Sequence, residues 1–263
     1  MVICRKDEGK NEEALITGER SETLKEKPAE KEGTLYISTP VNALVEGLYE
    51  ERVTFADIKK HGDFGIGTFD RLDGEMVMID GVVYQFTFDG RMSVIPDDTL
   101  TPFACVTFYR PLSHDRIDAE MGYQDFLHLL NRLMPSPNLF YALRVDGLFA
   151  HVRTRSVSKQ ENYRPLVEVA KDQVVFDFHN LEGTLAGFFT PSFMSSINVP
   201  GFHLHFLSAD FKRGGHLLEC RPVSGRIGIQ FLYSLNVSLP ASLDYLTLSF
   251  ERDTGEDLDK AEK

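Results

Sequence analysis

The strongest constraint on the fold of this chain is the segment GFHLHFLSADFKRGGHLLECRP, which contains His203, His205 and His216. Side chains alternate between the two faces of a β-strand, so His203 and His205 share a face while the leucine between them points to the other. The Gly214-Gly215 pair and its polar neighbours are typical of a hairpin turn, after which His216 opens a return strand. The segment therefore predicts two paired strands with three imidazoles on one face.

Three imidazoles on one face favour a metal site. Neutral imidazoles supply three vertices of a tetrahedron and leave the fourth open, as catalytic Zn²⁺ sites require. The chain has eight histidines in all, so three in one short window is not expected by chance. A sheet face whose histidines only form hydrogen bonds is the alternative. Cys220 would share the face of His216 on a regular strand, but we prefer a buried thiol to a fourth ligand.

Charge and composition exclude several classes of function. The formal charge is −12 and the isoelectric point is near 5.1, which argues against nucleic acid or an anionic membrane as the main partner. No apolar run approaches the roughly 18 residues of a membrane span, and no signal peptide is evident. The three scattered cysteines are typical of a reduced, cytoplasmic protein. We expect a homodimer, because sheet-rich acidic enzymes of this size often dimerise.

The pattern of turns and apolar runs predicts an α+β protein with two halves of mixed or antiparallel β-sheet and a few short helices. Residues 1–33 are rich in Glu and Lys, and we expect them to form a flexible charged arm. An N-terminal mixed-sheet domain covers residues 34–160. A C-terminal sheet domain, residues 161–263, carries the three histidines and an acidic tail. A hairpin is predicted around Asp146-Gly147, a dipeptide typical of two-residue β-turns.

Further candidates for chemistry lie outside the histidine segment. Glu75 follows a tight Asp-Gly turn, where a carboxylate could be held in a cleft, although a solvated turn residue is the commoner case. Arg153 and Arg155 share one face of a predicted strand. The guanidinium of an arginine is well shaped to bind a carboxylate through two hydrogen bonds, and a surface ion pair is the alternative. The acidic tail is, on composition alone, a frayed and solvated end.

Three collinear segments together resemble the α-acetolactate decarboxylase family. They are HGDFGIGTFDRLDGE, NLFYALRVDGLFAHVRTRSV and EGTLAGFFTPSFMSSINVPGFHLHFLSADFKRGGH, and the resemblance extends from about Gly33 to near the C-terminus. It implies a zinc enzyme of acetoin biosynthesis that converts (S)-2-acetolactate to (R)-acetoin and CO₂. The resemblance also implies that the zinc ligands are His203, His205 and His216.

The family motifs place further site residues on this sequence. The GTF-x-x-LDGE stretch places an active-site threonine on Thr68 and a glutamate on Glu75, and the TRSV motif places an arginine on Arg155. A second glutamate of the family's C-terminal tail falls on Glu262, through a short match to DLDKAE. The implied roles are catalytic for both glutamates and for the arginine, which also binds substrate, and substrate-binding for the threonine.

The implied chemistry suits these residues. Loss of CO₂ sends electrons into the adjacent ketone as an enediolate, which Zn²⁺ would stabilise and a carboxylic acid would protonate on one face. Either glutamate could be that donor. Two other interpretations stay open: another lyase or a hydrolase with a three-histidine zinc, and a non-catalytic binding protein stabilised by zinc. Structural zinc usually has four protein ligands, often including cysteine. Cys220 as a fourth ligand would therefore indicate the non-catalytic binding protein.

Overall fold

A computed structural model describes residues 33–50, 53–162, 164–252 and 254–262, and for residues 259 and 262 the backbone alone. The predicted arm therefore lies outside the described residues, except for Gly33. The strands are β1 (Thr34–Ile37), β2 (Val53–Thr54), β3 (Phe64–Thr68), β4 (Glu75–Ile79), β5 (Val82–Phe86), β6 (Met92–Val94), β7 (Leu100–Thr101), β8 (Ala104–Thr107), β9 (Ser113–Ile117), β10 (Phe140–Ser156), β11 (Val174–Thr190), β12 (Gly201–Ser208), β13 (Gly214–Leu232) and β14 (Ser234–Val237).

Helices are few and short. They are α1 (Val41–Val45), α2 (Phe55–Ile58), α3 (Tyr123–Leu133), α4 (Leu166–Val169), α5 (Leu243–Thr247) and α6 (Gly255–Glu262), with single 3₁₀ turns at Asp70–Leu72, Ala170–Asp172 and Ser192–Met194. The predicted α+β class with several sheets and few helices is confirmed. Among the described helices, none is long and apolar enough to cross a membrane.

The first large sheet has seven strands in the order β14-β1-β8-β3-β4-β5-β6. Its central strands are antiparallel neighbours, and β14 pairs with β1 in parallel. The turn from β4 to β5 uses Asp80 and Gly81, which have φ values of 52° and 76°. Positive φ at both positions is what a two-residue hairpin demands, and the Asp-Gly pair provides it.

The second large sheet has the order β10-β11-β12-β13-β9, and β10 also pairs with β13. The strands from β10 to β13 therefore close on one another, and this sheet carries the three histidines. Strands from before and after residue 160 take part in both large sheets, because β14 joins the first and β9 and β10 join the second. The division into two domains after residue 160 is a statement about independent folding, so it stays a prediction.

The hairpin predicted at Asp146-Gly147 is wrong, because β10 runs through it without turning. Asp146 pairs with Thr184 on β11 and with Arg226 on β13, so the dipeptide lies in mid-sheet. Its carboxylate accepts hydrogen bonds from Arg144 Nε and from Thr184 Oγ1. The polar groups that suit Asp-Gly to a turn are thus satisfied within the sheet.

β11 and β13 are likewise single long strands. In β11, Asn180 adopts a left-handed φ of 51°. The register with β10 stays constant across this residue, since Leu181 pairs with Phe149 and His179 pairs with His151. The strand is thus irregular at Asn180 but contains no extra residue there, and it continues without a break.

The core consists of three apolar clusters, of which the first lies between the two large sheets. It joins Leu35 and Ile66 of the first sheet to Phe188 and Leu207 of the second, and all four side chains are buried. A second cluster packs α3 against the second sheet, and a third covers the other face of the first sheet. Functional side chains that face the first cluster are therefore enclosed by both sheets.

Gly147 shows why a glycine occupies the middle of β10, and it gives a test of the continuous strand. A Cβ at Gly147 would lie 2.2 Å from the carbonyl oxygen of Ser224 on β13, and main-chain atoms cannot move away cheaply. We expect Gly147→Ala to lower the free energy of unfolding by about 1–3 kcal/mol. Chemical denaturation of the wild type and the variant measures this loss.

Gly122→Ala is the control, since a Cβ there meets nothing within 4 Å. It should change the free energy of unfolding by less than about 0.5 kcal/mol. The difference in stability between the two variants measures how closely Gly147 packs against β13. Equal stability of the two variants would therefore contradict the continuous β10.

Candidate metal centre and active-site cavity

Three histidines converge on one point of the second sheet. His205 on β12 pairs directly with His216 on β13, and His203 lies two residues before His205 on the same face. The ring centroids are 5.0–5.3 Å apart. One nitrogen of each ring can be chosen so that the three atoms lie within 4.8 Å of one another. The predicted three-histidine face on the C-terminal sheet is therefore present.

The turn that brings His216 level with His205 is not where the sequence suggested. Gly214 and Gly215 already lie on β13, opposite Leu207 and Phe206, and the chain reverses over residues 209–213. Gly215 has a φ of 123°, and a Cβ on it would lie 2.7 Å from the carbonyl oxygen of Arg155. Gly215 thus lets β13 approach β10 closely beside the histidines.

Burial favours the neutral form of His203 and His205. His203, His205 and His216 are 6, 1 and 3% exposed. Loss of solvation lowers the pKa of His205 to about 3, and the positive charge of Arg155 acts in the same direction. Burial also holds the pKa of His203 well below its usual range, with smaller contributions from His205 and Arg155. Metal binding requires neutral imidazole, so these two ligands need no deprotonation at neutral pH.

A main-chain hydrogen bond fixes the tautomer of His205. Its Nδ1 lies 2.8 Å from the carbonyl oxygen of Met76 on β4, which can only accept, so Nδ1 carries the proton. Nε2 is then the nitrogen with the lone pair, and this buried atom has no hydrogen-bond partner among the described residues. A histidine that ligates a metal is commonly oriented in this way by a carbonyl behind it. The donor set therefore fits a metal ion.

Glu75 and Thr68 approach the histidines from the first sheet. Glu75 opens β4, pairs with Thr68 on β3 and is 7% exposed, so the solvated turn residue is not what the structure shows. Its Oε2 lies 3.7 Å from His205 Nε2. The hydroxyl of Thr68 donates a 2.7 Å hydrogen bond to the carbonyl oxygen of Gly74, in the turn that leads to Glu75. Thr68 thereby braces the turn that places the carboxylate.

The two candidate arginines have different surroundings. Arg155 pairs with His216 across β10 and β13 and is 4% exposed, whereas Arg153 is exposed opposite Glu219. The register between β10 and β13 shifts between Arg153 and Thr154, where β13 carries one extra residue. Arg155 lines the histidine cavity, whereas Arg153 does not line it and is exposed to solvent.

The same irregularity of β13 explains the position of Cys220. A regular strand would bring Cys220 onto the face of His216, but the extra residue between Leu217 and Glu219 reverses the alternation. Cys220 is fully buried in the cluster formed by α3 and the second sheet, beside Phe126 and Leu130. Among the described residues, the metal-binding group contains histidines alone.

A cavity joins these groups and has one polar and one apolar side. The polar lining consists of Thr68, Glu75, Arg155, His203, His205 and His216. The apolar lining includes Val41 and Leu44 of α1, Leu166 of α4, and also Leu72, Phe103, Val157 and Val199. The carbonyl of Met76 and the walls formed by the short helices were not predicted, because neither a main-chain acceptor nor a distant apolar contact leaves a local sequence signal.

The acidic tail is not a frayed end where it is described. Leu258 and Ala261 of α6 are 1 and 4% exposed and belong to the cluster that borders the cavity. Glu251 and Glu256 are exposed. The backbone of Glu262 ends α6, but its side chain lies outside the described part of the chain. The assignment of a site glutamate to Glu262 therefore stays a prediction.

Comparison with known proteins agrees with this geometry. A relative from Methanosarcina mazei named alpha-acetolactate decarboxylase is 40% identical over 230 residues, which cover 87% of this chain and 80% of that protein. A relative of the same name from Klebsiella aerogenes is 41% identical over 216 residues, 82% of this chain and 83% of that protein.

Solved structures show the same fold. The crystal structure of alpha-acetolactate decarboxylase from Bacillus subtilis strain 168 superposes with a TM-score of 0.85 at 36% identity, over 87% of this chain and 99% of that one. The structure of a Staphylococcus aureus protein described as similar to alpha-acetolactate decarboxylase superposes with a TM-score of 0.84 at 26% identity. The match covers 87% of this chain and 100% of that one. The sequence model of the family, alpha-acetolactate decarboxylase, matches residues 35–252. The chain therefore belongs to the alpha-acetolactate decarboxylase family.

Proposed function

We propose that this protein decarboxylates (S)-2-acetolactate to (R)-acetoin and CO₂, with Zn²⁺ bound by His203, His205 and His216. The observation that carries the proposal is the convergence of three buried imidazoles with Glu75 and Arg155 in one cavity, in a chain of this family. The proposal includes a cytoplasmic homodimer that acts in acetoin biosynthesis on a small-molecule substrate.

The choice of zinc rests on the donor set. Three neutral imidazole nitrogens with one position left open suit Zn²⁺, and the second nitrogen of His205 is oriented by Met76. A bound Zn²⁺ supplies Lewis acidity, which stabilises negative charge on the oxygen atoms of the substrate as CO₂ departs. The other steps are assigned to the side chains of the cavity.

Arg155 is proposed to bind and orient the substrate. Acetolactate carries a carboxylate, a tertiary hydroxyl and an adjacent ketone, and a guanidinium matches a carboxylate with two parallel hydrogen bonds. Because Arg155 is 4% exposed, its charge is screened little by water. The two methyl groups of the substrate suit the apolar wall formed by α1 and α4, which leaves few orientations open.

Glu75 is proposed to deliver the proton that completes the reaction. When the bond between the carboxylate and its carbon breaks, the electron pair moves toward the ketone and leaves an enediolate. One proton must then reach one face of that carbon, and the carboxylic acid of Glu75 can donate it from a fixed direction. The 3.7 Å separation of Glu75 Oε2 from His205 Nε2 supports this assignment. Glu262 is the alternative donor.

Neither competing function accounts for all of the cavity. A hydrolase or another lyase with a three-histidine zinc would share the ligands but has no specific need for the buried Arg155 and Glu75. A structural zinc would need a fourth protein ligand. Cys220, the nearest candidate in sequence, packs in a different cluster.

Incubation of the purified protein with racemic acetolactate, with and without a chelator, tests the proposal. Acetoin and CO₂ are expected from one enantiomer, in the absence of chelator only.

Removal of one histidine should abolish metal binding. We expect the wild type to contain about one Zn²⁺ per chain. We expect His203→Ala to lose the ion, because the site needs three protein ligands and only two imidazoles remain. Elemental analysis of dialysed protein measures the content. His128→Ala replaces an exposed histidine of α3 and should keep both metal and activity. Full metal content in His203→Ala would place the site elsewhere.

The two arginines should respond differently to lysine. Arg155→Lys keeps the positive charge but loses the planar pair of donors, so we expect it to lose most of kcat/KM. Arg153→Lys, on the exposed part of the same strand, is the matched control and should retain wild-type activity. Steady-state kinetics of both variants measures kcat/KM. A loss of activity in Arg153→Lys with full activity in Arg155→Lys would mean that the motif is misplaced by two residues.

Glu75→Gln should slow turnover by at least about a hundredfold, the lower end for a lost general acid. The amide keeps the size of the side chain but has no acidic proton to donate. The measurement combines kcat with the enantiomeric purity of acetoin, and Glu256→Gln on the exposed face of α6 is the control. Unchanged kcat and unchanged chirality in Glu75→Gln would remove Glu75 from the mechanism.

A further inference from the structure

The helix α6 docks against the helices that form the apolar wall of the cavity. Its Leu258 and Ala261 belong to the same buried cluster as Leu166 and Val169 of α4. Leu166 lines the cavity directly. Movement of α6 away from α4 would therefore expose the back of the wall that encloses the substrate.

Polar contacts fasten the start of this segment to α1, the other helix of the wall. Arg252 donates to Glu46 Oε1 from Nε at 3.0 Å and from Nη2 at 2.8 Å. The Nη1 of the same guanidinium donates to Asp257 within α6. The hydroxyl of Thr254, which is 6% exposed, donates at 3.0 Å to Asn42 Oδ1. One guanidinium thus bridges α1 and α6.

The geometry of this bridge is specific to arginine. Three donors of one planar group reach two carboxylates, that of Glu46 directly after α1 and that of Asp257 in α6, an arrangement that a lysine ammonium cannot reproduce. Glu46 and Asp257 are 14 and 21% exposed at their side chains, so both acceptors are partly withdrawn from water. Apart from this bridge, the buried apolar side chains among those described in α6 are Leu258 and Ala261. The free energy that holds α6 in place is therefore small, and loss of the bridge removes a large part of it.

We propose that Arg252 is a positioning residue for the reaction, which acts through α6. By fastening α6 to α1, it keeps the apolar wall closed and bulk water out of the cavity. This inference rests on the proposed decarboxylation. Its chemical consequence concerns the enediolate, because water that enters the cavity can protonate that carbon from either face, whereas a fixed carboxylic acid protonates one.

The test compares Arg252→Gln with the wild type in the full-length, metal-loaded protein. Hydrogen exchange read by mass spectrometry should show at least about tenfold faster exchange in residues 255–262, which corresponds to a loss of about 1.4 kcal/mol in docking. Exchange in β10 and β13 should not change. The variant should also show lower kcat/KM and produce acetoin of lower enantiomeric purity.

Three further variants separate fastening from a general effect of charge. Arg252→Lys should give an intermediate exchange rate, and Glu46→Gln should shift exchange in the same direction as Arg252→Gln. The double variant Glu46→Gln with Arg252→Gln should be no worse than Arg252→Gln alone, because both remove one bridge. Arg91→Gln is the matched control, since Arg91 forms a comparable surface pair with Asp89 in the turn between β5 and β6.

Each remaining outcome contradicts the proposal. Unchanged exchange in α6 would show that Arg252 does not hold it. Faster exchange throughout β10 and β13 would make Arg252 a residue of general stability. Faster exchange in α6 with wild-type kcat/KM and chirality would show that docking does not matter to the cavity. If the wild type itself fails to convert acetolactate, the proposed function fails, and the exchange comparison still decides whether Arg252 fastens α6.

Discussion

The hydrogen bond from His205 Nδ1 to the carbonyl oxygen of Met76 is the interaction on which the rest of the centre depends, because it joins the two large sheets at the site. In free energy it contributes about 0.5–1.5 kcal/mol, no more than any other hydrogen bond. Its importance is geometric. It turns one ring nitrogen of His205 toward the cavity and sets the distance between β4 and β12. Glu75, the neighbour of Met76, is thereby placed beside the histidines.

Enclosure between the sheets also accounts for the electrostatics of the cavity. Burial penalises protonated imidazole, and the charge of Arg155 adds to that penalty, so the pKa values of His203 and His205 fall. The same enclosure strengthens any interaction between the guanidinium and an anion in the cavity, because little water screens it. One arrangement therefore favours neutral imidazoles and also favours an anion beside Arg155.

The sequence predicted the centre better than the sheets that build it. Strand periodicity placed His203 and His205 on one face, and motif resemblance identified Glu75 and Arg155, since both signals are local. The continuous path of β10 through Asp146-Gly147 could not be predicted, because the partners that satisfy that dipeptide come from strands far along the chain. The reversal of faces before Cys220 depends on one extra residue in the pairing, and no residue type marks it.

X-ray absorption at the zinc edge of the metal-loaded protein tests the central claim most directly. The account predicts three imidazole nitrogens at about 2.0–2.1 Å, together with a light oxygen scatterer in the fourth position. That position is the one that the substrate would occupy. A sulfur shell near 2.3 Å would instead identify a four-ligand structural zinc that includes a cysteine. That result would contradict the open metal centre and the decarboxylation assigned to it.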